Sequence, residues 1–196
     1  MAQLTPEDVI AGLVQRGVPL HVAQGVTARL HGESGLNSGI NEIAPTVVGS
    51  RGGYGLAQWT GPRRRQYEAF AAERGASADD TNAQLDFLMW ENANTEQGAW
   101  GKVMQAKDAV EAAKLFTTHW ERPGKPHLEG TIATAQKYAG IQSGNALSQR
   151  QSAMPPGANA LARPQLQYTN YQNDPNAFAM PTNALSFTPV GVARNA

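Results

Sequence analysis

Charge stops near residue 140, and that break decides how the chain can be organised. Residues 1–140 hold 28 of the 32 Lys, Arg, Asp and Glu residues; residues 141–196 hold only Arg150, Arg163, Asp174 and Arg194. A segment so poor in charge and rich in Asn, Gln, Pro and Ala does not read as a folded unit. The sequence thus divides into a globular domain over 1–140 and an extended low-complexity tail over 141–196. The triplet Asn-Ala-Leu recurs at Asn145, Asn159 and Asn183 without a fixed period, which argues against a solenoid. A domain of this size buries roughly two-thirds of the surface its unfolded chain exposes, enough for a core without staples. No staple is available, because there is no cysteine.

Within the domain the apolar spacing is helical. Thr5, Pro6 and Asp8 form a capped start, Val9, Ile10, Leu13 and Val14 follow as a stripe, and Gly17 ends it. A second helix begins at Pro19 and is expected to end at Gly32, which puts Glu33 at its carboxy-terminal end. From Gly35 to Trp59 six glycines break any helical period, and Thr46, Val47 and Val48 are expected to form a short strand. Further helices are predicted over Pro62–Arg74 capped by Thr60, about Asp80–Asn94, from Thr95 through Met104, from Asp108 through Trp120, and over His127–Tyr138. The fold class is mainly α, with a small β-hairpin or long loop beside a cleft.

Composition excludes several functions. Formal net charge is zero and no long basic stripe exists, so nucleic acid is not an expected partner. Arg63, Arg64 and Arg65 read as a solvated helix start. No segment is apolar for long enough to span a bilayer, and the start MAQLTPEDVI lacks the pattern of a secretory leader. His21, His31, His119 and His127 lack metal-ligand spacing, so neither a metal nor another cofactor is expected. Trp90, Trp100 and Trp120 sit at helical spacings and read as core; His31 reads as a solvated helix position that could also tune Glu33.

One constellation does carry chemistry. Glycoside cleavage requires a carboxylic acid beside the leaving oxygen, and a helix end opening into a cleft can place such a group and favour its protonated form. Glu33, in Gly32-Glu33-Ser34-Gly35, has that location, although a lone glutamate there is more often a surface charge. The segment Gly53-Tyr54-Gly55-Leu56-Ala57-Gln58-Trp59 combines a permissive backbone, an orienting amide and an aromatic face, the parts of a saccharide subsite. Trp59 reads equally as core or sugar platform. A second carboxylate is not assigned: Glu42 lies in the right loop but reads as well as a solvated charge, and Asp86 and Glu91 belong to a helix facing the core, where Glu91 could pair with an arginine.

Four segments in order, GESGLN from Gly32, GYGLAQWTGPRR from Gly53, QLDFLMWE from Gln84 and FTTHWERPG from Phe116, resemble the phage tail lysozyme family, a branch of the goose-type lysozyme and soluble lytic transglycosylase superfamily. The first two are the specific ones; the last two are chiefly packing motifs. The resemblance spans most of residues 5–140 and none of the tail. It implies a virion-associated hydrolase of the β-1,4 bond between N-acetylmuramic acid and N-acetylglucosamine, made in the host cytoplasm and acting in the host periplasm or cell wall during phage entry. It implies Glu33 as the acid, with Tyr54 and Gln58 lining the site; Trp59 and Glu42 complete the candidate substrate-binding set. A lytic transglycosylase giving 1,6-anhydromuramyl products, or a non-catalytic virion building block, are the alternatives.

The tail's spaced apolar residues, Leu161, Tyr168, Tyr171, Phe178, Leu185 and Phe187 among them, suit docking onto a phage tail, baseplate or ejection protein. Deleting residues 145–196 is therefore expected to spare lytic activity while lowering incorporation into particles; incorporation at the wild-type level would refute the anchor.

Overall fold

The computed structural model describes residues 4–45, 47, 49–124, 126 and 128–142; the tail from residue 143 onward lies outside them. Seven α-helices and one π-helical turn make up the regular structure among these residues: α1 (Pro6–Val14), α2 (Leu20–Ser34), α3 (Gly61–Glu73), α4 (Thr81–Asn94), α5 (Gln97–Val103), α6 (Ala109–Leu115), the π-turn (Phe116–Glu121) and α7 (Leu128–Tyr138). The capped start of α1 is as expected: Thr5 Oγ1 accepts from the Asp8 amide at 3.2 Å and the Asp8 carboxylate accepts from the Thr5 amide at 3.2 Å. Asp80 and Asp108 cap α4 and α6 in the same way, each accepting an amide three residues on at 2.8 Å. The helix expected from Thr95 has Glu96 at its N-cap position instead, with no side-chain cap.

α2 is the central element, packed on α1, α6, α7 and the π-turn. Nine consecutive residues, Val22 to Leu30, are buried, so this helix faces protein on all sides. Its approach to α6 is close enough to require glycine at position 25: a Cβ there would lie 2.6 Å from the Ala112 Cβ and 2.7 Å from the Ala113 nitrogen, and would strike the Ala109 carbonyl oxygen. α2 does not stop at Gly32. It continues to Ser34, whose hydroxyl donates to the Leu30 carbonyl at 2.9 Å, and ends at Gly35, which takes the left-handed conformation (φ 60°) and donates to the His31 carbonyl at 2.8 Å. Glu33 is therefore held inside the last helical turn.

The second packing centre is aromatic. Trp59 stacks on Tyr67 (5.0 Å), Phe87 meets Trp59 edge-on (5.4 Å), and Trp90 stacks on Phe87 (5.7 Å), which joins the Gly53–Trp59 loop to α3 and α4. On the other side Trp120 stacks on Phe116 at 4.5 Å. Trp100 and Trp120 are buried, as their spacing suggests, while Trp90 is half-buried. Of the segment expected to be a strand, Val47 lies in an exposed bend, and Thr46 and Val48 fall outside the described residues. Extended pairing occurs elsewhere, as two isolated antiparallel bridges, Asn41 with Tyr54 and Tyr54 with Trp59. Among the described residues no helix is long and apolar enough to cross a membrane.

Gly25→Ala should lower stability by about 1–3 kcal/mol in denaturant unfolding, because the obstacle is the backbone of α6 and outweighs the helix propensity gained. Gly12→Ala should cost less, since the atom it meets, Leu85 Cδ1 at 2.6 Å, ends a side chain that can rotate.

Candidate active site

Glu33 projects from the last turn of α2 with its side chain 26% exposed. It lines a cleft of about 500 Å³ whose walls include Ala28, Arg29, His31 and Gly32 from the same helix, Pro123, and Gly130, Thr131 and Thr134 of α7. One turn back, Arg29 donates from Nη2 to the Glu33 carboxylate. Its Nε donates to Glu121, at the end of the π-turn, whose side chain is only 8% exposed. His31, on the cleft rim, stacks on Tyr138 and shares a hydrogen bond with its hydroxyl. His31 is exposed, as the reading of a solvated helix position has it, and its ring is engaged by Tyr138.

Glu121 reaches Arg29 because of the π-turn. The Arg122 amide donates to the Thr117 carbonyl at 3.0 Å, five residues back, and Arg122 then takes a left-handed conformation (φ 53°) that ends the helix. Arg122 is fixed by a two-pronged pair with Glu96 at 2.8 and 2.9 Å. Burial pushes the Glu121 carboxyl up to about 8, the neighbouring Glu33 adds to the rise, and Arg29 opposes it. Its Oε1 has no hydrogen-bond partner among the described residues.

The glycine-rich loop is built by other contacts. Glu42 accepts from the Gly53 amide at 2.9 Å through its carboxylate, while its own amide donates to the Gly53 carbonyl at 2.8 Å, so this residue pins the loop. Gln58 sits at φ 46°, a conformation that costs a side-chain-bearing residue energy, and its amide donates to the Gly55 carbonyl at 2.9 Å. Gly55 (φ 72°) lies against Gln84, whose amide group a Cβ would meet at 2.6 Å. Gln84, fully buried, accepts from the Leu56 amide at 2.8 Å and donates to the carbonyls of Ser38 at 2.7 Å and Ala78 at 2.9 Å, thereby tying three loop segments together. Tyr54 is half-buried with the Arg64 guanidinium 5.0 Å from its ring centre.

Trp59 is core. It is 1% exposed, one ring face is stacked on Tyr67, and its indole nitrogen donates to Glu91 at 2.7 Å, so it has no face for a sugar. Glu91 does pair with an arginine: Arg63 donates to it at 2.7 and 3.0 Å, while the guanidinium lies 4.2 Å from the Trp120 ring centre. Asp86 is likewise taken up structurally, by Arg16 in the turn after α1, at 2.7 Å. The cleft over Glu33 is not lined by Tyr54, Gln58, Trp59 or Glu42; its opposite wall comes from Pro123 and α7.

Sequence reasoning missed that wall, as well as Arg29 and Glu121. The four-residue spacing of Arg29 and Glu33 was an available signal; Glu121 lay in a segment that reads as packing, and only the π-turn reveals where it points. Among the described residues no His, Cys, Asp and Glu cluster could hold a metal ion. A family model described as phage tail lysozyme matches residues 5–141. No curated protein matches the chain.

The raised Glu121 carboxyl has a consequence for stability. Its protonated form is favoured by the fold, so its contribution is fully present below its ordinary value of 4.5 and is lost as pH rises towards about 8. Denaturant unfolding at a series of pH values should show wild type losing stability across that window, with a limiting slope of about 1.4 kcal/mol per pH unit, relative to Glu121→Gln. Parallel curves for the two proteins would contradict it.

Proposed function

The chain belongs to the phage tail lysozyme family, and on that premise we propose that it hydrolyses the β-1,4 bond between N-acetylmuramic acid and N-acetylglucosamine, with Glu33 as the general acid. Lysozyme-like cleavage of peptidoglycan is what membership implies; the bond and the acid are our reading. The observation that carries it is the placement of Glu33: a partly exposed carboxyl fixed in the last turn of a buried helix, opening into a cleft. Small and hydroxyl-bearing residues on the far wall leave room for a polymer and offer hydrogen bonds to sugar hydroxyls.

In the reaction Glu33 gives its proton to the glycosidic oxygen as the bond to the anomeric carbon breaks. The described residues lining this cleft include no second carboxylate. That supports participation of the substrate itself: its acetamido group can stabilise the anomeric carbon until water attacks. The same lining supports a second outcome, attack by the muramyl 6-hydroxyl, which would make the protein a lytic transglycosylase. Tyr54 and Gln58, both half-buried rather than sealed in the core, are proposed to touch the glycan beyond the cleft. Delivery by the phage particle and opening of the wall at entry complete the proposal, and the tail over 141–196 is the proposed anchor.

Zymography of wild type and Glu33→Gln tests the acid. Clearing by wild type with a loss of about a hundredfold or more in the variant is expected; equal clearing would defeat the assignment of Glu33. Mass spectrometry of the digest should show reducing muramyl ends, and 1,6-anhydromuramyl ends would replace hydrolysis with transglycosylation.

A further inference from the structure

Arg29 stands between two carboxyl groups. Its Nη2 binds Glu33 from the cleft and its Nε binds Glu121 from the buried side. Of the other charged groups about Glu121, Arg63 of α3 is committed to Glu91 of α4, and the adjoining Arg122 is committed to Glu96, just ahead of α5. With both carboxyls ionised, the trio would carry an uncompensated negative charge in a place where Glu121 is 8% exposed and one of its oxygens has no donor. Two carboxyls around a single guanidinium avoid that cost by retaining one proton between them.

We propose that Glu33 and Glu121 share one proton across Arg29, and that Glu121 is thereby a positioning residue for the proton that Glu33 delivers. This rests on the reading of Glu33 as the acid. In the empty cleft, burial keeps the proton on Glu121, and Glu33 is the anionic partner of Arg29. A glycan entering the cleft strips water from Glu33 and leaves the surroundings of Glu121 as they were, so the balance tips. The proton leaves Glu121 and is taken up by Glu33, and Glu121, now the carboxylate, forms a neutral ion pair with Arg29. Glu33 gives the proton to the glycosidic oxygen, which keeps the electron pair of the broken bond. The water that adds to the anomeric carbon releases the proton that recharges the pair.

Carboxyl NMR titration of protein labelled at glutamate tests the sharing without relying on turnover. In wild type one glutamate should titrate far above the others and be absent from Glu121→Gln. In Glu33→Gln its midpoint should fall by about one pH unit or more, because the repelling charge has gone. A midpoint unmoved in Glu33→Gln overturns the proposal, and this arm does not depend on Glu121→Gln folding. Lysis measured against pH gives the second arm. Glu121→Gln should stay within about tenfold of wild type at its own optimum, with the alkaline limb displaced to lower pH by about one unit or more. A uniform loss with an unmoved limb would make Glu121 purely structural and overturn the proposal. A wild type inactive on peptidoglycan at every pH would defeat the enzymatic reading alone, and the titration would still decide the sharing.

Discussion

One guanidinium organises this molecule. Arg29 is buried in α2, the helix that packs against α1, α6, α7 and the π-turn, and it holds a carboxyl on each side. A buried arginine carries a large desolvation cost, which only close, well-aligned anionic partners offset. The position of α2 follows from apolar packing and from the absence of a side chain at Gly25, but the orientation of Glu33 follows from Arg29. Truncating Arg29 would leave two carboxyls near one another with no cation between them. Fold and chemistry meet at that residue.

A second arginine extends the arrangement towards the glycine loop. Arg63 lies over Trp120, beside Glu121, and grips Glu91, which in turn holds the Trp59 indole. Following these contacts, GESGLN, FTTHWERPG, GYGLAQWTGPRR and QLDFLMWE, the four segments that carry the family resemblance, converge on one buried polar spine. Two of them read as packing motifs in the sequence, and they are packing motifs whose packing is partly ionic. Gln84 performs the neutral version of the same task, satisfying the loop's buried backbone groups from inside α4. The described part of the loop from Gly35 to Trp59 is thus ordered by these polar contacts together with the burial of Leu36, Leu56 and Trp59, with little regular structure of its own.

Sequence alone made the helical class, the capped start at Thr5 and the place of Glu33 legible, because each rests on local spacing or on short-range capping. The end of α2 was less so: glycine at 32 is a common terminator, yet the helix has a better one at Gly35, where the left-handed turn is taken. Trp59 sat between two readings because flanking glycines suggest exposure, whereas its fate was decided by Tyr67 and Glu91, eight and thirty-two residues away. Glu42 read as a loop charge and is the loop's tether, since an amide eleven residues on needs its oxygen. The wall formed by Thr131 and Thr134 had no signature at all, because two threonines on a helix look alike whether they face solvent or a cleft.

The π-turn at Phe116–Glu121 has an implication for how such a site can be gained or lost. A π-turn is a helix carrying one residue more than an α-turn needs, and each residue rotates a helical side chain by about 100°. Deleting a single residue there would let the α6 helix run on regularly and swing Glu121 away from Arg29, with every chemical group of the site still present. Glu33 would then keep Arg29 to itself. The position of the inner carboxyl is encoded in a count of residues as much as in their identity, so a one-residue length change in the π-turn could switch the electrostatics around Glu33 without substituting any residue that touches it.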